Sequence, residues 1–78
     1  MLYGHDRCPL CARLEEMIAP HLARIADAHL VKRDIHDEPE WMEAYGHRVP
    51  VLMLGERVLL EGRPSEDEVR EAIGEGLN

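Results

Sequence analysis

Phenylalanine is absent from this 78-residue chain, and its aromatic side chains are confined to Tyr3, Trp41 and Tyr45. Aliphatic residues must therefore fill the interior. With 45% hydrophobic residues the composition supports a globular domain rather than a disordered one. Basic residues are few, 9 against 16 acidic, for a net charge of -7. That balance argues against a nucleic-acid-binding domain, which carries a basic footprint, and an anionic membrane surface would repel it. No apolar run approaches the length needed to span a bilayer. No basic segment followed by an apolar one opens the chain, so no secretory signal is read there and a cytoplasmic location is expected. The length suits one compact domain over 1–78, and it is expected to act as a monomer. A domain this small buries only about 60% of its unfolded surface, so its core must be economical.

Cysteine is as scarce as the aromatics. Cys8 and Cys11 are the whole complement. A bridge between them would close a tiny loop, and cross-link stabilisation grows with loop length, so they do not staple a fold. Their reading is chemical.

The chain between the landmarks divides cleanly. Met1 to Gly4 reads as a short strand. From Leu10 on, Leu14, Met17, Ile18, Leu22 and Ile25 recur on one helical face, with a kink or break expected at Pro20. His29 to Ile35 reads as a second strand. Asp37 is placed to cap a short helix, with Pro39 in its first turn and Trp41, Ala44 and Tyr45 on its apolar face. Gly46 is placed to end it. Pro50 to Leu54 is a continuous apolar run, as in a strand covered on both faces. Gly55-Glu56 forms a tight turn, and Arg57 to Glu61 returns as a strand. Ser65 with Glu68 is a capping-box signature, followed by Val69, Ala72 and Ile73 at helical spacing. The order β-α-β-α-β-β-α predicts an α/β fold with a four-stranded mixed sheet flanked by helices.

Cys8-Pro9-Leu10-Cys11 falls where the first strand gives way to the first helix. The first N–H groups of a helix lack internal partners, and its dipole favours negative charge. A thiolate there is stabilised, and the thiolate is the nucleophilic form. Pro9 suits the first helical position and stiffens the turn. Cys8 is expected at the exposed end as nucleophile, and Cys11, one turn inside, as the resolving thiol. Arg7 adds positive charge, which Asp6 partly cancels. The same spacing serves zinc sites, but a structural zinc needs four ligands, and His5 and His21 lack a second cysteine pair. A CxxC inside a βαβ pattern points more strongly to redox chemistry. A metal-binding CxxC protein and an inert pair remain as alternatives. So does a binding or scaffold module without redox turnover, because fold does not fix function.

Together with Arg48-Val49-Pro50-Val51 in the second half of the chain, the motif resembles the glutaredoxin and thioredoxin superfamily, and short glutaredoxin-like proteins most closely. The likeness implies a thioredoxin-like fold and a disulfide oxidoreductase that reduces protein or low-molecular-weight disulfides. It implies that Pro50 follows a cis peptide bond and lies against the cysteines, and that Val49 offers backbone hydrogen bonds to substrate. Pro9, Leu10 and Arg48 complete the expected substrate-binding set, Arg48 as a contact for an anionic group. The partners implied are a disulfide-containing protein or a glutathione mixed disulfide, and a reductase as electron donor. No metal or organic cofactor is required; glutathione enters only as a co-substrate. The chain departs from glutaredoxins at Leu10, where an aromatic is usual, and at Arg48, where threonine is usual. Their Gly-Gly-x-Asp segment, which receives the glutathione γ-glutamyl group, is represented by Gly62-Arg63-Pro64-Ser65, with one glycine missing. Glu61-Gly62-Arg63-Pro64 resembles redoxins that serve ribonucleotide reductase and draw electrons from thioredoxin reductase.

Of the remaining residues, Trp41 and Tyr45 are expected to pack rather than to stack on a ligand. Tyr3 is expected in the core or near the cysteines. His5 reads as a solvated loop histidine, with proton exchange near Cys8 as the alternative. His47, like Arg48, precedes Pro50 and faces the same candidate role.

Overall fold

A computed structural model describes the backbone of residues 1–77 and the side chains of residues 1–74. Four short strands form one sheet: β1 (Leu2–Gly4), β2 (Lys32–Asp34), β3 (Val51–Leu54) and β4 (Arg57–Glu61), in the order β2-β1-β3-β4. Three α-helices connect them: α1 (Pro9–Leu22), α2 (Pro39–Tyr45) and α3 (Glu66–Leu77). β1 runs parallel to β2, with Leu2 opposite Lys32 and Gly4 opposite Asp34. It runs antiparallel to β3, with Leu2 opposite Leu52 and Tyr3 opposite Val51. β3 and β4 form a hairpin with an irregularity between Leu52 and Met53. Gly55 opens its turn at φ +60, a conformation that costs glycine nothing. The arrangement is the expected thioredoxin-like fold: an α/β domain with a mixed four-stranded sheet.

Side-chain alternation along the strands assigns the helices to the two faces. Leu2, Leu52 and Leu60 join Leu14 and Ile18 of α1 and Val69 and Ile73 of α3 in one buried cluster. Alanine-sized α2 residues could not cover the other face, but aromatic ones do. Tyr3 stacks on Tyr45 at 4.5 Å between centroids and meets Trp41 edge-on at 5.3 Å. The three aromatics thus pack as expected, but as a half-buried layer and not within the main cluster. No residue of α2 is fully buried, and Ala44, expected on its apolar face, is exposed.

Other boundaries also depart from expectation. α1 passes through Pro20 without a break. Proline there removes one donor, but the helix ends two residues later, and Ala23 N–H still donates to Ala19 O at 3.0 Å. Buried Ile18 and partly buried Met17 and Leu22 hold that last turn to the core. The second strand spans only Lys32–Asp34 of the expected His29 to Ile35, and at its end Ile35–Asp37 turns into a 3-10 helix. Asp34 caps that turn by accepting from His36 N–H at 2.9 Å. Asp37 is consumed in it, so Glu38 precedes α2 and makes no side-chain cap. Leu54, at the end of the run predicted to be covered on both faces, is exposed, since the hairpin has by then left the helices.

The capping box is present in both directions. Glu68 N–H donates to Ser65 Oγ at 3.1 Å, and Ser65 N–H donates to a Glu68 carboxylate oxygen at 3.2 Å. Arg13 ties α1 to this corner by donating to Pro64 O at 3.0 Å. No helix among the described residues is long and apolar enough to cross a membrane.

Two substitutions separate these contributions. Leu14→Ala, at a fully buried site, should cost about 3 kcal/mol of unfolding free energy in urea titrations. Ser65→Ala should cost about 1 kcal/mol, the usual value of an N-cap. Equal losses would contradict the division between core and cap.

Candidate functional site

The turn between β1 and α1 sets the site. Arg7, at φ +57, takes a left-handed conformation, and Cys8 follows in extended backbone as the N-cap of α1. An N-cap side chain faces the unpartnered N–H groups of the first turn. Here the capping atom is sulfur: Cys11 N–H donates to Cys8 Sγ at 3.2 Å. Pro9 occupies the first helical position, where its missing N–H leaves nothing unpaired. One turn of helix thereby brings Cys11 back to Cys8, and the two are joined as a disulfide with their Cα atoms 5.2 Å apart. That separation lies within the range of about 4.4–6.8 Å that a disulfide bridges.

Sequence placed Cys8 outside and Cys11 inside. Both residues are half-buried. What distinguishes them is their neighbours. Cys8 Sγ receives the helix N–H, whereas Cys11 lies against β1. A Cβ added at Gly4 would sit 2.9 Å from Cys11 Sγ, so a side chain on Gly4 would force the sulfur out. Gly4 is buried and was not foreseen as a site residue. Its signal in the sequence was a glycine ending a strand four residues before the motif.

The Val49–Pro50 peptide bond is cis, as the resemblance implied. Pro50 is fully buried, and the position after the Tyr3–Val51 pair in the register sets it beside Gly4, the residue under Cys11. Pro50 O accepts from Gly62 N–H at 2.9 Å, which joins this loop to the end of the hairpin. Val49 is half-buried, and Pro9 and Leu10 are exposed on the first turn of α1. Arg48 is engaged elsewhere: its guanidinium pairs with Glu61 at 3.4 Å and lies 5.5 Å from the Tyr45 ring centroid.

An open cleft of about 600 Å³ lies on the opposite side of the cysteines, between the start of α1 and the edge strand β2. Its floor includes Leu2, Gly4 and Cys11, and Cys8 stands in its wall. Arg7, Lys32 and Arg33 contribute its positive charges, and Asp6, Glu15 and Asp34 its negative ones. Arg48, Val49 and Pro50 take no part in it. Lys32 is held by Glu15 at 3.2 Å. The β2 contribution escaped the sequence reading, because only the parallel pairing with β1 brings residues 32–34 to the motif.

His5 is half-buried in this wall and not simply solvated; its Nδ1 lies 2.8 Å from Asp6 O and its ring meets that of His36 edge-on at 5.9 Å. The Asp34 carboxyl is held below the usual carboxylate range, chiefly because the backbone N–H of His36 donates to it and then because the His36 imidazole does. Among the described residues, no three His, Cys, Asp or Glu side chains converge as a set of metal ligands.

Comparison with known proteins agrees with this geometry. A family model described as "Glutaredoxin-like domain (DUF836)" matches residues 1–74, which take in every element from β1 to most of α3. No curated protein and no solved structure matches the chain. A glutaredoxin-like domain with a close cysteine pair fits a module for thiol redox chemistry.

Two outcomes follow from the geometry. Gly4→Ala should lower stability by about 1–3 kcal/mol through overpacking. In a double-mutant cycle, most of that loss should vanish when Cys11 is also Ala; an additive result would contradict the contact. The Asp34 pairing stabilises the fold above the ordinary carboxylate range and fades as pH falls through its lowered value. In NMR titrations the Asp34 midpoint should rise only part of the way toward the ordinary range in His36→Ala, which removes the imidazole and keeps the backbone N–H; a full return to the ordinary range would contradict the backbone N–H as the chief cause.

Proposed function

This chain belongs to the glutaredoxin-like domain family, and on that footing we propose that it is a thiol–disulfide oxidoreductase. Cys8 is the nucleophile, Cys11 the resolving thiol, and proteins or low-molecular-weight compounds carrying a disulfide are the substrates. The observation that carries the reading is the hydrogen bond from Cys11 N–H to Cys8 Sγ at the opening of α1. A donor aimed at sulfur in that position stabilises the anion more than the thiol, because hydrogen bonds to charged groups are the stronger ones.

The reaction balances without a cofactor. Cys8 gives its proton to solvent and attacks one sulfur of the substrate disulfide. The substrate S–S bond breaks, and the first thiolate leaves and takes up a proton. Cys11 then loses its proton and attacks Cys8 Sγ, displacing the second thiolate, which is protonated in turn. Two electrons pass to the substrate, and the Cys8–Cys11 disulfide remains. A thiol donor, small or enzymatic, returns the two electrons to begin the next cycle. The position of Pro50 beside Gly4 supports a role for Val49 and Pro50 in presenting backbone to the substrate on that side.

The start of α3 bears on the choice of donor. Its first N–H groups are the natural place for an incoming carboxylate, but the capping box uses two of the donors there. Glu66, Asp67 and Glu68 add negative charge to the same turn. These features disfavour a glutathione carboxylate as the group bound at that corner.

Activity assays with an alkyl disulfide and with insulin test the proposal. Cys8→Ser should bring reduction down to the level of buffer. Cys11→Ser should retain the first step and accumulate a mixed disulfide, seen as a mass increase equal to one substrate half. Reduction surviving Cys8→Ser would overturn the assignment.

A further inference from the structure

Cys8 and Cys11 are both half-buried at the opening of one helix, and the groups around the two sulfurs differ. Cys8 Sγ accepts the Cys11 N–H at 3.2 Å, and Arg7 precedes it in the chain with Asp6 as a counterweight. Cys11 has the opposite surroundings. Its sulfur rests on Gly4, where an added Cβ would sit 2.9 Å from Cys11 Sγ. In the parallel pairing of β1 with β2, the residue opposite Gly4 is Asp34. Alternation along β2 puts Asp34 on the same face as Lys32, whose side chain reaches Glu15 of α1. Neighbouring strands lie about 4.8 Å apart, so Asp34 stands one strand spacing from the seat of Cys11 Sγ. Both residues line the cleft between α1 and β2.

The Asp34 carboxylate is fixed and charged. His36 N–H and His36 Nδ1 each lie 2.9 Å from one of its oxygens. These bonds hold it below the usual carboxylate range, so it carries its charge wherever a thiol ionises. The other groups facing Cys11 do not offset it. Glu15, one turn further along α1, is paired with Lys32 at 3.2 Å. Val51 and Leu52, which β3 sets against β1, carry no charge. Arg33 belongs to the other face of the sheet, opposite Tyr3. His5 and His36 oppose the carboxylate only when protonated.

We propose that Asp34 is a positioning residue for the cysteine pair: its negative charge disfavours a thiolate at Cys11 and so places the ionised sulfur at Cys8. This rests on the redox role given to the pair and adds the order in which the two sulfurs react. A like charge nearby disfavours ionisation of a second acid. In the dithiol, Cys8 is the anion and attacks first. Once the mixed disulfide has formed, Cys11 gives its proton to solvent against the Asp34 charge and attacks Cys8 Sγ. The second substrate thiolate leaves and is protonated. The carboxylate therefore slows the closing step and lengthens the life of the mixed disulfide. An aspartate acting as proton acceptor for Cys11 would do the reverse.

Single-thiol variants separate the two sites. The thiol midpoint, followed by the ultraviolet absorbance of the thiolate, is measured for Cys11 in Cys8→Ala and for Cys8 in Cys11→Ala, each with and without Asp34→Asn. Asparagine still caps the turn at His36, so the substitution removes charge and keeps the local fold. The Cys11 midpoint should fall, and the Cys8 midpoint should move less. Asp34→Glu, which keeps the charge, should leave the Cys11 midpoint close to that with aspartate. A loss of structure alone would not separate the sulfurs in this way.

The reduced protein with both cysteines is then mixed with one equivalent of dithiodipyridine. Attack by Cys8 releases one thiopyridone, and closure by Cys11 releases the second. Asp34→Asn should speed the second release about threefold at neutral pH and low salt, the size of a screened charge interaction over a few ångströms. A Cys11 midpoint that stays in place, or moves no more than that of Cys8, overturns the proposal. So does a slower second release, which would make Asp34 the proton acceptor. If the unsubstituted protein gave no second release and no Cys8–Cys11 disulfide, the redox reading itself would fall.

Discussion

A single backbone N–H pointing at a sulfur organises this molecule. Cys11 N–H reaches Cys8 Sγ at 3.2 Å because Cys8 occupies the cap of α1 and Cys11 stands in its first turn. A hydrogen bond to a charged group is worth about 1.5–3 kcal/mol. A donor of that kind stabilises a thiolate more than a thiol. The helix dipole and Arg7 act in the same direction, and Asp6 against it. On the proposed reading, helix geometry supplies in one step the nucleophile and the second sulfur that completes the exchange.

The remainder of the fold holds that helix start in place. β1 is an interior strand, paired with β2 on one side and β3 on the other, and it ends under the cysteines. Gly4 lets Cys11 Sγ lie directly on the strand, and the β3 register carries Pro50 to the same point. The parallel neighbour β2 brings Lys32, Arg33 and Asp34 to the opposite side. The cysteines are thus approached from two sides that differ in character, one built of buried proline backbone and the other of charged rim residues. Leu14 and Ile18 anchor α1 to the core that it shares with α3, so the sulfur-bearing turn rests on the main buried cluster.

Local features were legible in the sequence, and features that depend on pairing were not. The cysteine motif, Pro9 as first helical residue, the Ser65–Glu68 box and the extent of β4 each arise from neighbours along the chain, and each is present. Pro20 leaves α1 unbroken because it lies so close to the helix end that little remains to break. Asp37 misled because Asp34 starts a competing turn three residues earlier. Gly4, the β2 charges and the capture of Arg48 by Glu61 all require knowing which strands lie side by side. The cis bond at Pro50 was legible only through family likeness, since an X–Pro bond is usually trans.

The most direct test of the account is the titration of the Cys8 thiol in a Cys11→Ala variant, followed by the ultraviolet absorbance of the thiolate. Alanine keeps the backbone N–H that Cys8 Sγ accepts and removes the second sulfur. The account predicts a midpoint below that of a free cysteine, because the helix N–H stabilises the thiolate. A midpoint at or above about 8.5, the value of a free cysteine, would contradict it.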